Sequence, residues 1–255
     1  MQLFYCKDIS ATGFCTLDAE ESRHAVKVLR LREGDELNVT DGCGNFYRCH
    51  IVQAQSDECV VVGDECVSDS SLIAHHSSLH LAVAPTKNPS RMEWLVEKSV
   101  EIGVGEITLL HCDHSERSFL KTDRLEKLAI SAMKQSLHTV LPKINPAVNL
   151  HNWLKTQLSI VNCQQKFIAH CEADKPRTPL ATALQPGLDA VVLIGPEGDF
   201  SEEEIALALE CGFQPVSLGP SRLRTETAAL YAVTAFNIVN EDSRIIRYSD
   251  VRTFG

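Results

Sequence analysis

The chain has 255 residues, 44% of them apolar, and a formal net charge of −10. Its length accommodates one large domain or two smaller ones, its apolar fraction is enough for a real core, and no apolar run approaches the span of a membrane helix. The negative balance argues against nucleic acid until the distribution of basic residues is considered, because phosphate binding draws on Lys and Arg. Met1 leads directly into a strand-like segment without a basic, then apolar, then small-residue leader, so no export signal is expected. Ten cysteines without a C-x-x-C pair fit reduced thiols in a cytoplasm better than disulfides or a zinc site.

From Gln2 to about Gly63 the pattern is that of a small β-rich module with one helix. Glu36–Thr40 and Phe46–Gln55 have strand composition on either side of Asp41-Gly42-Cys43-Gly44-Asn45, a hairpin turn with glycines for left-handed positions; Cys59–Val62 is a further strand. Gly42 and Gly44 are turn glycines and not a phosphate loop, since a strand follows them. Arg23, His24, Lys27, Arg30 and Arg32 form one basic run, and on an α-helix Arg23, Lys27 and Arg30 share a face. By itself such a face reads as a solvated surface.

Asp64 to Ser78 is polar, serine-rich and aperiodic, which predicts a linker. His75-His76 and His111-Cys112-Asp113-His114 offer metal-ligating side chains, but each lacks a second pair at ligand spacing, so no metal is expected. From Leu79 onward strands and helices alternate, the pattern of a parallel sheet with crossover helices. Leu79–Ala84 is a strand. Asn88 caps and Pro89 opens a helix with Met92, Leu95, Val96 and Val100 inward, and Gly103 stops it. Ile107–His111 is a strand, Thr122–Val140 a helix, and Lys166–Cys171 a strand with Glu172 at its mouth.

Ala190–Ile194 is a continuous apolar run, as in a strand buried on both faces, and it stops at Gly195-Pro196-Glu197-Gly198. Ser201 with Glu204 three positions on forms a capping box that starts a helix ended by Gly212. Pro215–Leu218 is a strand running into Gly219-Pro220 and the loop Ser221–Arg224, after which a last helix begins near Thr225. Two glycine-bearing loops at the carboxyl ends of two strands are where an open α/β sheet binds small ligands. Gly195, Gly198 and Gly219 permit close backbone approach or positive φ, so main-chain groups can read a flat heterocycle. No Lys-Ser/Thr follows the glycines and no G-x-G-x-x-G is present, so the ligand is neither a triphosphate nor a dinucleotide. The last helix is apolar over most of its circumference and must be buried, inside its domain or against a partner; Val233 and Phe236 are read as outward positions.

Ile194-Gly195-Pro196-Glu197-Gly198-Asp199-Phe200-Ser201, followed by Leu218-Gly219 and Leu223-Arg224-Thr225-Glu226-Thr227-Ala228, resembles the signature of the RsmE family of ribosomal RNA methyltransferases, within the SPOUT superfamily. His24 to Asp35, Lys87 to Val104, Ser115-Glu116-Arg117-Ser118 and Gln135-Ser136 are similar to family segments as well. The chain departs from the family pattern at Leu3, Lys134, Leu137, His138 and Ser221-Arg222; where Lys134, Leu137 and His138 stand, members usually carry Glu, Gly and Arg.

The resemblance implies an α/β protein: a PUA-like β-barrel RNA-binding domain over residues 1–70, then a trefoil-knotted parallel-sheet SPOUT methyltransferase domain over residues 77–245. It implies methyl transfer from S-adenosylmethionine to N3 of a uridine in 16S ribosomal RNA, free or in the small ribosomal subunit, by a cytoplasmic homodimer without metal or membrane. Ile194, Gly195, Pro196, Glu197, Gly198, Leu218, Gly219, Leu223, Arg224, Thr225, Thr227 and Ala228 are the expected donor site. Arg23, Lys27, Arg30, Arg91 and Arg117 are expected to hold RNA, and Arg224 and Glu226 are the catalytic candidates, Glu226 reading equally well as a helix cap. Two rivals from other classes are a non-catalytic RNA-binding adaptor, separated by donor binding, and a small-molecule α/β enzyme with an accessory barrel, separated by RNA dependence.

Overall fold

The computed structural model describes residues 2–11, 13–67, 77–116, 121–156, 163–171 and 176–241. The chain forms two compact units, Met1–Ala74 with Ala129–Leu141, and His75–Leu128 with Pro142–Gly255.

The first unit holds a five-stranded sheet in the order β1 (Leu3–Tyr5), β3 (Glu36–Thr40), β4 (Phe46–Ala54), β5 (Cys59–Cys66) and β2 (Phe14–Thr16). Only the β1–β3 pair is parallel. Register shifts at Arg48/Cys49 and Ile51/Gln53 bend the long β4–β5 hairpin, so one face curls around Phe4, Leu17, Val39, Cys49, Ile51 and Val61. Strand β5 runs to Cys66, so the expected linker begins later than Asp64. The turn Asp41–Asn45 is tied by Asp41 Oδ1, which accepts from the backbone N–H of Cys43 and Asn45. Gly42 has φ +75, and a Cβ there would meet Tyr5 and Leu141. Residues 139–141 lie along this turn, Gly44 N donating to Thr139 O and Leu141 N to Gly42 O.

The helix expected over Thr122–Val140 ends at Gln135. Leu137 takes a left-handed φ of +58, and His138 N closes back on Met133 O. A leucine stands here in a conformation suited to glycine. The basic run also departs from a regular helix. Ala19–Arg23 is α-helical, His24–Val28 widens to a π-turn, and Arg30 lies beyond the end at φ +60. Arg23, Lys27 and Arg30 are all exposed, but they do not share an α-helical face. Not all thiols are free: the sulfurs of Cys6 and Cys15 are joined as a disulfide, which corrects the expectation of reduced cysteines throughout.

The second unit holds a seven-stranded, all-parallel sheet in the order β10 (Thr178–Pro179), β12 (Gln214–Ser217), β9 (Gln165–Ala169), β11 (Ala190–Ile194), β6 (Leu79–Val83), β7 (Glu106–His111) and β8 (Lys143–Asn149). Every residue of β11 is buried, as its unbroken apolar composition requires of a strand covered on both faces. The helix Pro89–Ile102 has the expected Asn88 cap, Pro89 in its first turn and left-handed Gly103 at its end, φ +109. The capping box of Glu202–Glu210 is present in both directions, Glu204 N donating to Ser201 Oγ and Ser201 N to Glu204 Oε2.

Strand β11 sits between β9 and β6, with the chain running to β7 and β8 on one side and to β12 and β10 on the other. Loops leaving the carboxyl ends of strands diverge at such a point and leave a crevice.

Candidate active site at the carboxyl ends of β9, β11 and β12

A cavity of about 370 Å³ opens at that crevice. Its walls are 169–171 with Arg177, the loop 194–197 with Asp199, the stretch 216–219, and 221–225 with Ala228. Of the expected donor-site residues, Ile194, Gly195, Pro196, Glu197, Leu218, Gly219, Leu223, Arg224, Thr225 and Ala228 line it, while Gly198 and Thr227 do not. Two loops distant in sequence are held together by Thr225, buried at the start of the helix Thr225–Val239, whose Oγ1 donates to Gly195 O at 3.1 Å.

The three glycines serve different ends. Gly219 has φ +107, and a Cβ there would meet nothing within 4 Å, so open space lies beside a backbone only glycine adopts freely. A Cβ on Gly195 would stand 3.1 Å from the Phe200 ring, and one on Gly198 would stand 3.0 Å from His114 Cβ. Neither of these two has positive φ; they are small because Phe200 and His114 pack against them. The residue of this loop in left-handed conformation is Asp199, φ +64.

The acidic candidates are tied down. Glu197 Oε1 accepts from Lys87 N at 3.1 Å. Glu226 lies outside the lining and pairs with Arg91, Oε1 to Nη1 at 3.2 Å. Arg224 is exposed at the rim and has no ion-pair partner among the described residues. Arg177, Arg222 and Cys171 also line the cavity, although none of them is among the expected site residues. The signal for them was the expected end of a strand at Cys171, since in a parallel sheet every strand end on this side faces the crevice. Burial raises the thiols of Cys112 and Cys171, so neither is a ready thiolate nucleophile.

Asp113, His151 and Glu204 bring ligand atoms within 4.8 Å of one another. Their geometry is that of a cap. Glu204 accepts from the backbone N–H of Asp113 and Ser201, and the Ser201 hydroxyl donates to Asp113 at 2.7 Å, holding that carboxyl below its usual range. His114 Nδ1 donates to the carbonyls of Gly198 and Asp199. His75-His76, Arg117 and Glu172 lie outside the described residues.

In the first unit, Arg30 and Arg32 with Val26, Leu31, Glu33 and Ala54 line an open depression of about 520 Å³.

An RNA methyltransferase domain matches residues 74–237, and an RNA methyltransferase PUA domain matches residues 17–62. The ribosomal RNA small subunit methyltransferase E of Buchnera aphidicola from Acyrthosiphon pisum is 29% identical over 92% of each chain. Among solved structures, a probable rRNA-methyltransferase from Porphyromonas gingivalis is 40% identical, covers 96% of this chain and 100% of its own, and superimposes with a TM-score of 0.85. The ribosomal RNA small subunit methyltransferase E of Neisseria gonorrhoeae, bound to S-adenosyl methionine, is 26% identical over 94% of this chain and 98% of its own, with a TM-score of 0.76. With a glycine-lined crevice at the switch point of a parallel sheet and a curled sheet before it, the chain belongs to the ribosomal RNA small subunit methyltransferase E family.

Proposed function

We propose that this protein moves a methyl group from S-adenosylmethionine to ring nitrogen N3 of a uridine in 16S ribosomal RNA, free or in the small subunit, as a cytoplasmic homodimer. The observation that carries the reading is the cavity lined by the loop after β11, the loop after β12 and the start of the last helix. Its apolar walls come from Ile194, Leu218, Leu223 and Ala228, and the open space beside Gly219 is where any Cβ would intrude. Those features fit a flat heterocycle read by backbone amides and carbonyls.

When bound there, S-adenosylmethionine supplies an electrophilic methyl. The chain's task is alignment, which can account for much of such a rate. Thr225 fixes the two loops through Gly195 O. Arg224, exposed at the rim, is placed to steady the negative charge left on uridine when N3 loses its proton. Glu226, engaged by Arg91, holds the start of the last helix in place. The basic residues Arg23, Lys27 and Arg30, together with Arg91 and Arg117, hold the RNA backbone.

The dimer is supported by apolar side chains left in water. Trp94 on Pro89–Ile102 and Tyr231 and Ile238 on Thr225–Val239 are exposed, and these two helices pack together. The trefoil knot belongs to the same proposal, its support being the insertion of β11 between β9 and β6 and the return of the chain from β12 past Gly195 to a helix packed on β6 and β11.

Mapping methylated bases in 16S ribosomal RNA from cells lacking the protein tests the reading. One uridine should lose its N3-methyl and regain it when purified protein and S-adenosylmethionine are added. An unchanged methylation map, or a protein that binds RNA but no donor, overturns it.

A further inference from the structure

We infer that Asp199 is a positioning residue of the donor cavity, its carboxylate clamping the loop after β11 to the chain leaving β9. The inference rests on the donor-site reading above. Asp199 adopts φ +64, where glycine is the unstrained choice, so its side chain must bring something that glycine would not.

That something is visible in its contacts. Oδ2 accepts from Cys171 N at 2.7 Å, reaching 28 residues back along the chain to the end of β9. Oδ1 accepts from Phe200 N at 2.9 Å, and the backbone N–H of Asp199 donates to Pro196 O at 3.0 Å. The first contact joins two walls of one cavity, because both Asp199 and Cys171 line it. On its other side the same loop is held by His114, which follows β7; its Nδ1 faces two carbonyls, Gly198 O at 3.2 Å and Asp199 O at 3.1 Å, and therefore carries the proton. The loop 195–199 is thus pinned on both sides, toward β9 by the Asp199 carboxylate and toward the chain leaving β6 and β7 by the Glu197 carboxylate, which accepts from Lys87 N, and by His114. A charge-assisted bond to a backbone N–H is stronger and more directional than a neutral one, which suits it to setting the width of a crevice.

Three variants separate the carboxylate from the backbone conformation. D199G relaxes φ and removes the clamp; D199A removes the clamp and strains φ; D199N retains one acceptor and tolerates left-handed φ. Calorimetry with S-adenosylmethionine should show roughly tenfold weaker binding for D199G and D199A alike, with partial rescue in D199N. D199G should melt no lower than wild type, whereas D199A should melt lower. Hydrogen exchange, read without ligand, should show the Cys171 amide protected in wild type and exposed to exchange in D199G. Wild-type donor affinity in D199G overturns the inference, since Asp199 would then be a turn residue only, and so does an unprotected Cys171 amide in wild type. Failure of the wild type itself to bind S-adenosylmethionine overturns the donor-site reading and this role of the clamp together, and is told apart by the wild-type measurement alone.

Discussion

Arg91 Nη1 stands 3.2 Å from Glu226 Oε1, joining the first turn of one helix to the first turn of another across the carboxyl ends of the sheet. The two ends of the pair are unequally buried, the Arg91 side chain 38% exposed and that of Glu226 11%. Glu226 Oε2 is buried without a hydrogen bond among the described residues. Removing the cation leaves a carboxylate in a place water hardly reaches, whereas removing the charge of Glu226 leaves a guanidinium that water can still solvate. Arg91→Ala should therefore destabilise the protein by about 1–3 kcal/mol, and Glu226→Gln by less. Urea unfolding of the two variants checks the order; a larger loss for Glu226→Gln would contradict it.

Gly195 and Gly219 should fail for different reasons when replaced by Ala. At Gly195 the new methyl meets the Phe200 ring at 3.1 Å and Phe200 N at 3.3 Å, which predicts an overpacking loss of about 1–3 kcal/mol. At Gly219 there is room for it, and the cost is the backbone's own, about 1–2 kcal/mol at φ +107. Donor affinity should fall in both. Crystal structures of the variants would tell them apart, Phe200 moving in the first and the 218–220 backbone in the second.

Charge reversal at Arg23, Lys27 and Arg30 should weaken RNA binding and flatten its dependence on salt by about 0.7–0.9 in log–log slope for each phosphate that is no longer neutralised. Arg30 should contribute separately from Arg23, since it stands past the end of the helix and beside the depression it shares with Arg32. Donor binding is expected to survive. An unchanged salt slope would make the run a solvated surface.

His80 is partly buried beside Trp153, its Nε2 2.7 Å from Thr108 Oγ1, with Glu106 and Lys143 as its charged neighbours. Burial lowers its pKa below the usual 6.5, the attraction of Glu106 offsetting only part of that. Between the two values the unfolded chain takes up a proton that the folded chain refuses, so stability is complete above pH 6.5 and falls as the pH drops toward the folded value. Glu106, whose carboxyl is held below its usual 4.5, stays ionised through that window. The urea midpoint of wild type should drop between about pH 7.5 and about pH 5.5, and the drop should be smaller in His80→Gln.

The dimer is best tested at Tyr231 and Ile238. Val233 and Phe236, read from the sequence as outward, are fully buried within their own unit, so acidic residues there would unfold the domain and report nothing about association. Tyr231→Glu with Ile238→Glu should give monomers in sedimentation, at little cost to folding. A wild-type monomer at micromolar concentration that still methylates RNA would refute the interface.

Much of the site was legible because its signals are local. A capping box spans three residues, a glycine stop spans one, and an unbroken apolar run declares a strand covered on both faces, so Ser201–Glu204, Gly103 and Ala190–Ile194 were each read in place. The same holds for the two motif loops, whose residues are contiguous.

What only the tertiary structure decided depends on partners far apart in the chain. Strand β8 has mixed composition and forms because β7 offers it an edge. Leu137 ends a helix in a conformation its own side chain disfavours, because residues 139–141 must turn back along Gly42–Gly44. The last helix is apolar nearly all round, so no periodicity could say that Val233 and Phe236 face inward while Tyr231 and Ile238 face out. Asp199 looks like a turn residue until Cys171 is seen beside it. Composition and short-range spacing set where elements begin and end, but the order of strands, and with it the set of loops that meet at the crevice, follows from burying the sheet's two faces at once.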